Sequence, residues 1–355
     1  MSNQLTYEIY DIETLNNLFT YTGFDCLTKE YVQFSICDWH NQCDELIYYL
    51  LNKKMIQIGF NNEGFDYLIL HELLLNQELY SQMSGSTAAN TLYQKAQQII
   101  ESEEKPKIFD KDKFIYQIDL FKIWHFDNKN RRTSLKDLEI VLNMPNVEEM
   151  PIDHRKWCTP KDELVVLDYN KNDVLATYEF FKITLGKTEN PLYKNKNLLD
   201  LRQKLKNKFN INCLNYSDVK LGEQLMLKLY CDLTNKKISD LKKLGGTNRS
   251  SVKLKDCIPS WANFNSKEFN SLKKKFEETT ISNIEDDFST SIIYNGIQLD
   301  YGLGGCHGCI KPGIYESNDT QLLLDQDVAS LYPSIAIQLK IYPEHLGPEF
   351  YKIYD

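Results

Sequence analysis

Four acidic residues lie on predicted strands and helices, and their order along the chain limits how the chain can fold. Asp11 and Glu13 are two residues apart on a predicted strand, so their side chains point to the same face. Asp66 follows a short buried strand and begins a predicted helix, and Asp173 lies on a long amphipathic helix. This succession of strands and helices predicts a mixed α/β domain that carries the four carboxylates.

The remaining hydrophobic pattern extends this prediction along the chain. It predicts strands over residues 5–13, 30–36, 55–60, 114–121, 291–300 and 321–328. It predicts helices after Asp66, from a cap at Thr133 or Ser134, over residues 161–185 and through most of residues 195–282. Residues 76–115 are polar and helix-prone, with a loop predicted near residues 84–87.

Composition excludes several classes of protein. The net charge of −9 argues against a uniformly basic nucleic-acid binder, although not against a local basic groove. No apolar stretch is long enough to span a membrane, and the start has no signal-peptide pattern, so the expected location is cytoplasmic. Cys306 and Cys309 are spaced like half of a zinc site, but a second ligand pair is lacking, and a glycine-rich loop is the alternative.

The four carboxylates suit the hydrolysis of a phosphodiester. Two neighbouring divalent cations can activate water and stabilise charge on the leaving oxygen, and about four carboxylates are needed to hold them. Oxygen ligands favour Mg²⁺ or Mn²⁺. Tyr169 lies one helical turn before Asp173 on the same face and could orient the attacking water. Each segment alone also has an ordinary explanation, as a solvated strand end, a turn with a cap, or a helix surface.

Three segments resemble the motifs of the DEDD exonuclease superfamily: Asp11-Ile12-Glu13, Asn62-Glu63-Gly64-Phe65-Asp66 and Tyr169-Asn170-Lys171-Asn172-Asp173. They match the tyrosine variant, because Tyr169 precedes Asp173 by four residues. The resemblance covers about residues 5–185. It implies an RNase-H-like fold, two Mg²⁺ or Mn²⁺ ions held by the four carboxylates, and removal of nucleotides from 3′ ends.

Within that superfamily the layout is most similar to the exonuclease domain of family B DNA polymerases, especially the protein-primed phage group. In that group, residues matching Thr14, Asn62 and Phe65 hold the single-stranded primer end, where an aromatic ring can stack on any base. A lysine ahead of the third motif contacts the scissile phosphate. Lys136 is its counterpart here, and an exposed helix lysine is the alternative.

A fourth segment, D-V-A-S-L-Y-P-S from Asp327 to Ser334, resembles motif A of the same family. The resemblance implies that Asp327 binds catalytic ions and that a buried strand containing Leu322–Leu324 presents it. It also implies that the nucleotide is contacted by four residues of the motif: Asp327, Ser330, Leu331 and Tyr332.

Upstream of motif A, Tyr301-Gly302-Leu303-Gly304-Gly305 resembles the Y-x-G-G motif, with the tyrosine one residue further from the glycine pair. The resemblance implies that Gly304 and Gly305 contact DNA, and a tight turn is the alternative.

The resemblance therefore implies the N-terminal portion of a family B DNA-directed DNA polymerase. The expected domains are a 3′→5′ exonuclease over residues 1–187, a mainly helical connecting region over 188–290 and an incomplete palm over 291–355. Such a chain is not expected to polymerise alone, because the second aspartate of the palm is not found in it.

The expected partners follow from this reading. They are single-stranded and primer–template DNA, dNTP only with a complete palm, and a second chain or missing C-terminal part with fingers, remaining palm and thumb. A terminal protein primer is a further expectation from the protein-primed group, as is the host cytoplasm for a phage-encoded protein.

Two other functions fit parts of the sequence. A stand-alone DEDD exonuclease accounts for the first three segments but has no use for the motif A pattern. A non-catalytic replication scaffold accounts for the fold, but a decayed site usually loses ligands, and all four carboxylates and Tyr169 are present.

Overall fold

A five-stranded mixed sheet organises the first of the two compact units, Met1–Lys228 and Leu229–Asp355, into which the computed structural model divides. The structure describes residues 6–104, 106–282, 288–302 and 304–354. The strands of this sheet are β1 (Thr6–Leu15), β2 (Leu18–Asp25), β3 (Tyr31–Ile36), β4 (Met55–Gly59) and β5 (Tyr116–Asp119). Their order is β3-β2-β1-β4-β5; β1, β2 and β3 are antiparallel neighbours, and β4 is parallel to both β1 and β5.

Helices cover both faces of this sheet. They are α1 (Cys43–Asn52), α2 (Asp66–Leu75), α3 (Gln77–Tyr80), α4 (Gly85–Glu101), α5 (Leu120–Ile123), α6 (Leu135–Val141), α7 (Pro160–Thr184) and α8 (Leu198–Phe209). The next helix, α9 (Asp218–Thr234), crosses the division between the units. Tyr10 packs with α1, α2 and α4, whereas its neighbour Ile9 packs with α6 and α7, as the alternation of side chains along a strand requires.

A row of polar side chains runs through the interior of the first unit. Asn62 and Gln57 each bond to Gln117, Gln57 donates to the Tyr21 hydroxyl, and Tyr21 bonds to Glu8. All five residues are fully buried. Because a buried polar group without a hydrogen bond costs free energy, this row favours one alignment of β1, β2, β4 and β5 beneath the turn that contains Asn62.

Most predicted elements of the first unit are confirmed within a few residues. The strands near residues 5–13, 30–36, 55–60 and 114–121 and the helices after Asp66, from Ser134 and over 161–185 are all present. Ser134 is the cap of α6, with a capping box to Asp137. The loop predicted near residues 84–87 is wrong: Ser84 caps α4, and Gly85 begins it. The sequence reading did not identify β2 and α1.

The second unit contains short elements. Its helices are α10 (Ile238–Leu241), α11 (Lys267–Glu278) and α12 (Leu331–Leu339). Its strands are β6 (Val252–Lys253), β7 (Thr280–Ile281), β8 (Ser289–Tyr294), β9 (Ile297–Gly302) and β10 (Gly305–Cys309). They form a β6-β7 pair and a β10-β9-β8 sheet. The helical prediction for residues 195–282 is therefore confirmed for α8 to α11 and interrupted by β6 and β7.

Two predicted strands of this unit need correction. The single strand predicted over residues 291–300 is a hairpin, because Asn295 and Gly296 both adopt positive φ and turn the chain between β8 and β9. The strand predicted over 321–328 is absent, and Leu322, Leu323 and Leu324 are between 64% and 74% exposed. The physical reason is that no strand among the described residues pairs with this segment, so nothing covers its leucines.

The division between the units does not coincide with the predicted boundary at residue 187. Leu199 of α8 packs in the cluster formed by Ile9, Ile58 and Ile118 of the sheet. Asn215 bonds along the edge of β5, accepting from the Asp119 amide at 2.9 Å and donating to the Gln117 carbonyl at 2.8 Å. The three-part division of the chain stays a prediction.

In the described part of the chain, no helix is both long and apolar enough to cross a membrane.

Candidate metal centre

Three elements of the first unit bring acidic side chains together. β1 carries Asp11 and Glu13 on one face, and α7 carries Asp173. One carboxylate oxygen from each of these three residues lies within 4.8 Å of the other two. Asp66 is the first residue of α2 and is 7% exposed; it lies outside that triad but close enough to affect the carboxyl groups of Asp11 and Glu13.

Lys136 and Tyr169 contact this cluster. The Lys136 ammonium donates to Asp173 Oδ1 at 2.6 Å and to Glu139 Oε1 at 3.0 Å, and it lies 4.6 Å from the centre of the Tyr169 ring. Tyr169 lies one helical turn before Asp173 on α7 and lowers the pKa of its carboxyl group. The structure therefore brings Asp11, Glu13, Asp66, Asp173, Tyr169 and Lys136 to one place.

The carboxyl groups of the cluster resist ionisation. Burial, followed by the charges of Asp66, Glu13 and Asp173, raises the pKa of Asp11 well above its usual range. Burial together with Asp173 and Asp66 does the same to the pKa of Glu13, and Lys136 opposes it. Burial raises the pKa of Asp66 to about 7 and that of Asp173 to about 6, the latter against the lowering effect of Lys136. Full ionisation of the cluster would therefore place more negative charge there than its neighbours neutralise.

The donor set fits a hard divalent cation. Asp11, Glu13 and Asp173 offer only oxygen atoms, which are the ligands preferred by Mg²⁺, Mn²⁺ and Ca²⁺. A divalent cation would also relieve the repulsion that raises the pKa values of these carboxyl groups. The partly buried triad could therefore bind a metal.

The three residues predicted to hold single-stranded DNA lie beside the carboxylates in different settings. Thr14 follows Glu13 on β1, and both line a cavity of about 420 Å³ together with Ile152, His154 and Arg155. Phe65 precedes Asp66 and packs, partly buried, against the cluster of α2 and α4.

Asn62 has a more enclosed setting. Its side chain is fully buried, and its Nδ2 donates to Gln117 Oε1 at 2.8 Å. In this structure Asn62 therefore stabilises its turn from inside, and its contact with DNA stays a prediction.

Sequence reasoning missed two residues beside the carboxylate cluster of Asp11, Glu13, Asp66 and Asp173. Asn170 donates from Nδ2 to Asp11 Oδ2 at 2.5 Å, and Glu139 accepts from Lys136 while fully buried. A signal for Asn170 was present, because it precedes Asp173 by three residues and therefore shares its helical face.

Asp119 is a third missed residue, at the end of β5. Its carboxylate accepts from the amides of Asn61 at 2.9 Å and Glu63 at 3.3 Å, which holds the turn before Asp66. Burial raises the pKa of Asp119 to about 7. The signal was its position, because β4 and β5 are parallel and end at the same edge of the sheet.

The other predicted residues belong to the second unit. Gly305 begins β10 with φ +141 and Gly304 precedes it, while Leu303 lies outside the described residues. Asp327 and Ser330 are exposed, and Leu331 and Tyr332 begin α12 with exposures of 45% and 77%. The expectation that a buried strand presents Asp327 is wrong for this structure, for the reason given above.

The cysteine pair of the second unit does not form half of a zinc site in this structure. Cys306 and Cys309 are both exposed and lie on β10. Residues three apart on a strand point to opposite faces, so the two thiols diverge.

Comparison of the chain with protein-family models, curated proteins and solved structures found no match.

Proposed function

We propose that the first unit is a metal-dependent 3′→5′ exonuclease with an RNase-H-like fold that proofreads single-stranded DNA ends. The observation that carries the proposal is the convergence of Asp11, Glu13, Asp66 and Asp173 from β1, α2 and α7. The strand order β3-β2-β1-β4-β5, with its first three strands antiparallel, supports the fold assignment. So does the position of the acidic pair on the central strand β1.

In this proposal Asp11, Glu13 and Asp173 would hold one Mg²⁺ or Mn²⁺, and Asp11 with Asp66 a second. When bound, these cations would promote ionisation of the attacking water and stabilise charge on the leaving 3′ oxygen. The Tyr169 hydroxyl, one helical turn before Asp173 on α7, orients the attacking water. Lys136 favours the ionised form of Asp173 and offers an ammonium group to the scissile phosphate.

We further propose that this chain is the N-terminal portion of a family B DNA polymerase. This part of the proposal is supported by the motif A pattern at Asp327, Ser330, Leu331 and Tyr332 and by the glycine motif before it. In the complete polymerase Asp327 would be the first metal-binding aspartate of the palm. A dNTP would contact Ser330, Leu331 and Tyr332, the nucleotide-binding residues that the motif implies.

The proposal is tested with 5′-labelled single-stranded DNA in the presence of Mg²⁺ or Mn²⁺. The folded wild-type chain should produce a ladder of 3′-shortened products, and the Asp11→Ala/Asp66→Ala double variant should produce none. Asp127→Ala is a matched control, because this carboxylate is exposed on a loop, and it should digest DNA like the wild type.

The alternatives predict different results in the same assay. Equal or faster digestion of a 5′-labelled RNA strand would favour a stand-alone exonuclease of broader substrate range. The absence of digestion by folded wild-type protein would contradict the exonuclease and favour a non-catalytic replication scaffold.

A further inference from the structure

Asn170 joins the long helix α7 to the central strand of the sheet at the metal centre. Its side chain is fully buried, and its Nδ2 donates to Asp11 Oδ2 at 2.5 Å across 159 positions of the chain. Its carbonyl oxygen has no hydrogen-bond partner among the described residues. The contact with Asp11 is therefore the polar interaction that accounts for an amide at this buried position.

The surroundings of Asp11 explain why such a donor matters. Glu13, Asp66 and Asp173 all act on Asp11 with like charge. The nearby cation Lys136 is bonded instead to Asp173 and Glu139. A carboxylate among like charges tends to turn away from them, and a hydrogen bond to one oxygen opposes that rotation.

We infer that Asn170 is a positioning residue for the metal centre: by holding Oδ2 of Asp11, it fixes the orientation in which the Asp11 carboxylate lies close to those of Glu13 and Asp173, where a cation would bind. The inference rests on the proposed function insofar as the triad binds a divalent cation. It adds a residue to which neither the carboxylate pattern nor its chemistry assigned a role.

A neutral donor suits this position better than a charged one. A lysine here would compete with the cation for Asp11, and an aspartate would add a further negative charge to the cluster. Because Asn170 and Asp173 are three residues apart on α7, one helical turn supplies both a ligand and the donor that orients its partner ligand on β1.

The test measures Mn²⁺ binding directly, by electron paramagnetic resonance of free Mn²⁺ during titration of the full chain. Asn170→Leu keeps a side chain of similar size without the donor. It should weaken Mn²⁺ binding about 10–100-fold, as the loss of outer partners of metal ligands usually does. Asn172→Leu is the matched control: its amide lies on the same helix, partly exposed, 3.4 Å from the Asn146 carbonyl, and its affinity should equal that of the wild type.

A second readout separates positioning from a purely structural role. At saturating Mn²⁺ the rate of DNA digestion by Asn170→Leu should approach that of the wild type, whereas Asp11→Ala should stay inactive. A merely structural role would lower the melting temperature without changing the Mn²⁺ affinity of the folded protein. Asn170→Ser, which is smaller and polar, should show the same weakening and serves if the leucine variant does not fold.

The outcomes distinguish this inference from the proposed function. Wild-type Mn²⁺ affinity in folded Asn170→Leu would overturn the role of Asn170 and leave the exonuclease proposal intact. Absence of Mn²⁺ binding by the wild type would overturn both.

Discussion

Lys136 is central to the charge balance of the carboxylate cluster. Its ammonium lies between the carboxylates of Asp173 and Glu139, and both raise its pKa. Glu139 is fully buried, and its Oε2 has no hydrogen-bond partner among the described residues. One cation therefore serves two buried carboxylates, so removing it should have a measurable effect on the ionisation of Asp173.

Lys136→Met should shift the pH dependence of DNA digestion. Lys136 lowers the pKa of Asp173, which stands at about 6, so its removal raises that pKa further. Asp173 must be ionised to hold a cation, and the acid limb of the pH–rate profile should therefore move to higher pH. The rate at pH 7 should fall about 10–100-fold, measured with labelled single-stranded DNA.

Lys171→Met is the control for this residue. Its ammonium lies 4.8 Å from the centre of the Tyr31 ring, and its side chain is exposed. Its pH profile should match that of the wild type. An acid limb that stays in place in folded Lys136→Met would contradict the role assigned to Lys136.

Helix α7 is the element that assembles the site. A capping box between Thr159 and Asp162 begins it, with Pro160 at its first position. Near its start, Glu163 accepts hydrogen bonds from Trp39 at 2.7 Å and pairs with His40 at 2.8 Å. These contacts fix the helix against the loop after β3, so that its next turns present Tyr169, Asn170 and Asp173 to β1.

Strand β5 is the edge strand at the opposite end of the sheet from β3, and Asn215 bonds to its backbone. The Asn215 side chain accepts from the Asp119 amide and donates to the Gln117 carbonyl. Without Asn215, these two backbone groups of an edge strand would be unpaired. Asn215→Ala should lower the free energy of unfolding by about 1–3 kcal/mol, because two backbone groups lose their partner. Urea denaturation followed by circular dichroism measures this change.

Asn207→Ala is the control for the edge strand, since Asn207 lies exposed on α8. Its free energy of unfolding should stay within about 0.5 kcal/mol of the wild type. Equal effects of the two substitutions would show that the bonds of Asn215 to β5 do not stabilise the sheet.

For the whole molecule, the cluster makes stability depend on pH and metal together. The pKa values of Asp66 and Asp173 are raised in the folded protein to about 7 and about 6, above the usual value of an aspartate. A raised carboxyl pKa stabilises the folded protein fully below about pH 4, and this contribution is lost progressively as the pH rises from about 4 to about 7. The metal-free protein should therefore lose stability over this range.

Mg²⁺ should restore that stability, and more so at pH 8 than at pH 5.5, because it binds the ionised carboxylates. At free Mg²⁺ about 100 times the dissociation constant, the gain is about 2.7 kcal/mol. Thermal unfolding at both pH values measures the difference. A larger gain at pH 5.5 would contradict the assignment of the carboxylates as ligands.

Hydrogen exchange should locate this gain. All four carboxylates lie in the first unit, so Mg²⁺ should increase amide protection in peptides from β1, α2 and α7. Peptides from α11 and β8 to β10 serve as the internal control. If Mg²⁺ increased protection only in these control peptides, the cation would bind in the second unit and not at the carboxylates.

Local sequence patterns were enough to place several elements of this arrangement. Alternating and helical hydrophobic patterns identified β1, β4, β5 and α7, because burial on one face imposes a period on the sequence. The same periods placed Asp11 with Glu13, and Tyr169 with Asp173, on shared faces. Strand β2 was not predicted, because its alternation of aromatic and threonine side chains extends only from Phe19 to Thr22 and the strand is buried along most of its length.

Contacts between distant groups, in contrast, depend on how the elements pack. The bonds from Asn170 to Asp11 and from Lys136 to Asp173 join positions 159 and 37 residues apart, and no local period encodes such pairs. The segment around Leu322–Leu324 shows the converse. Its composition favours a strand, but a strand needs a partner and a cover, and neither is present among the described residues. Local patterns fix the elements, whereas hydrogen-bond partners and burial depend on how those elements pack.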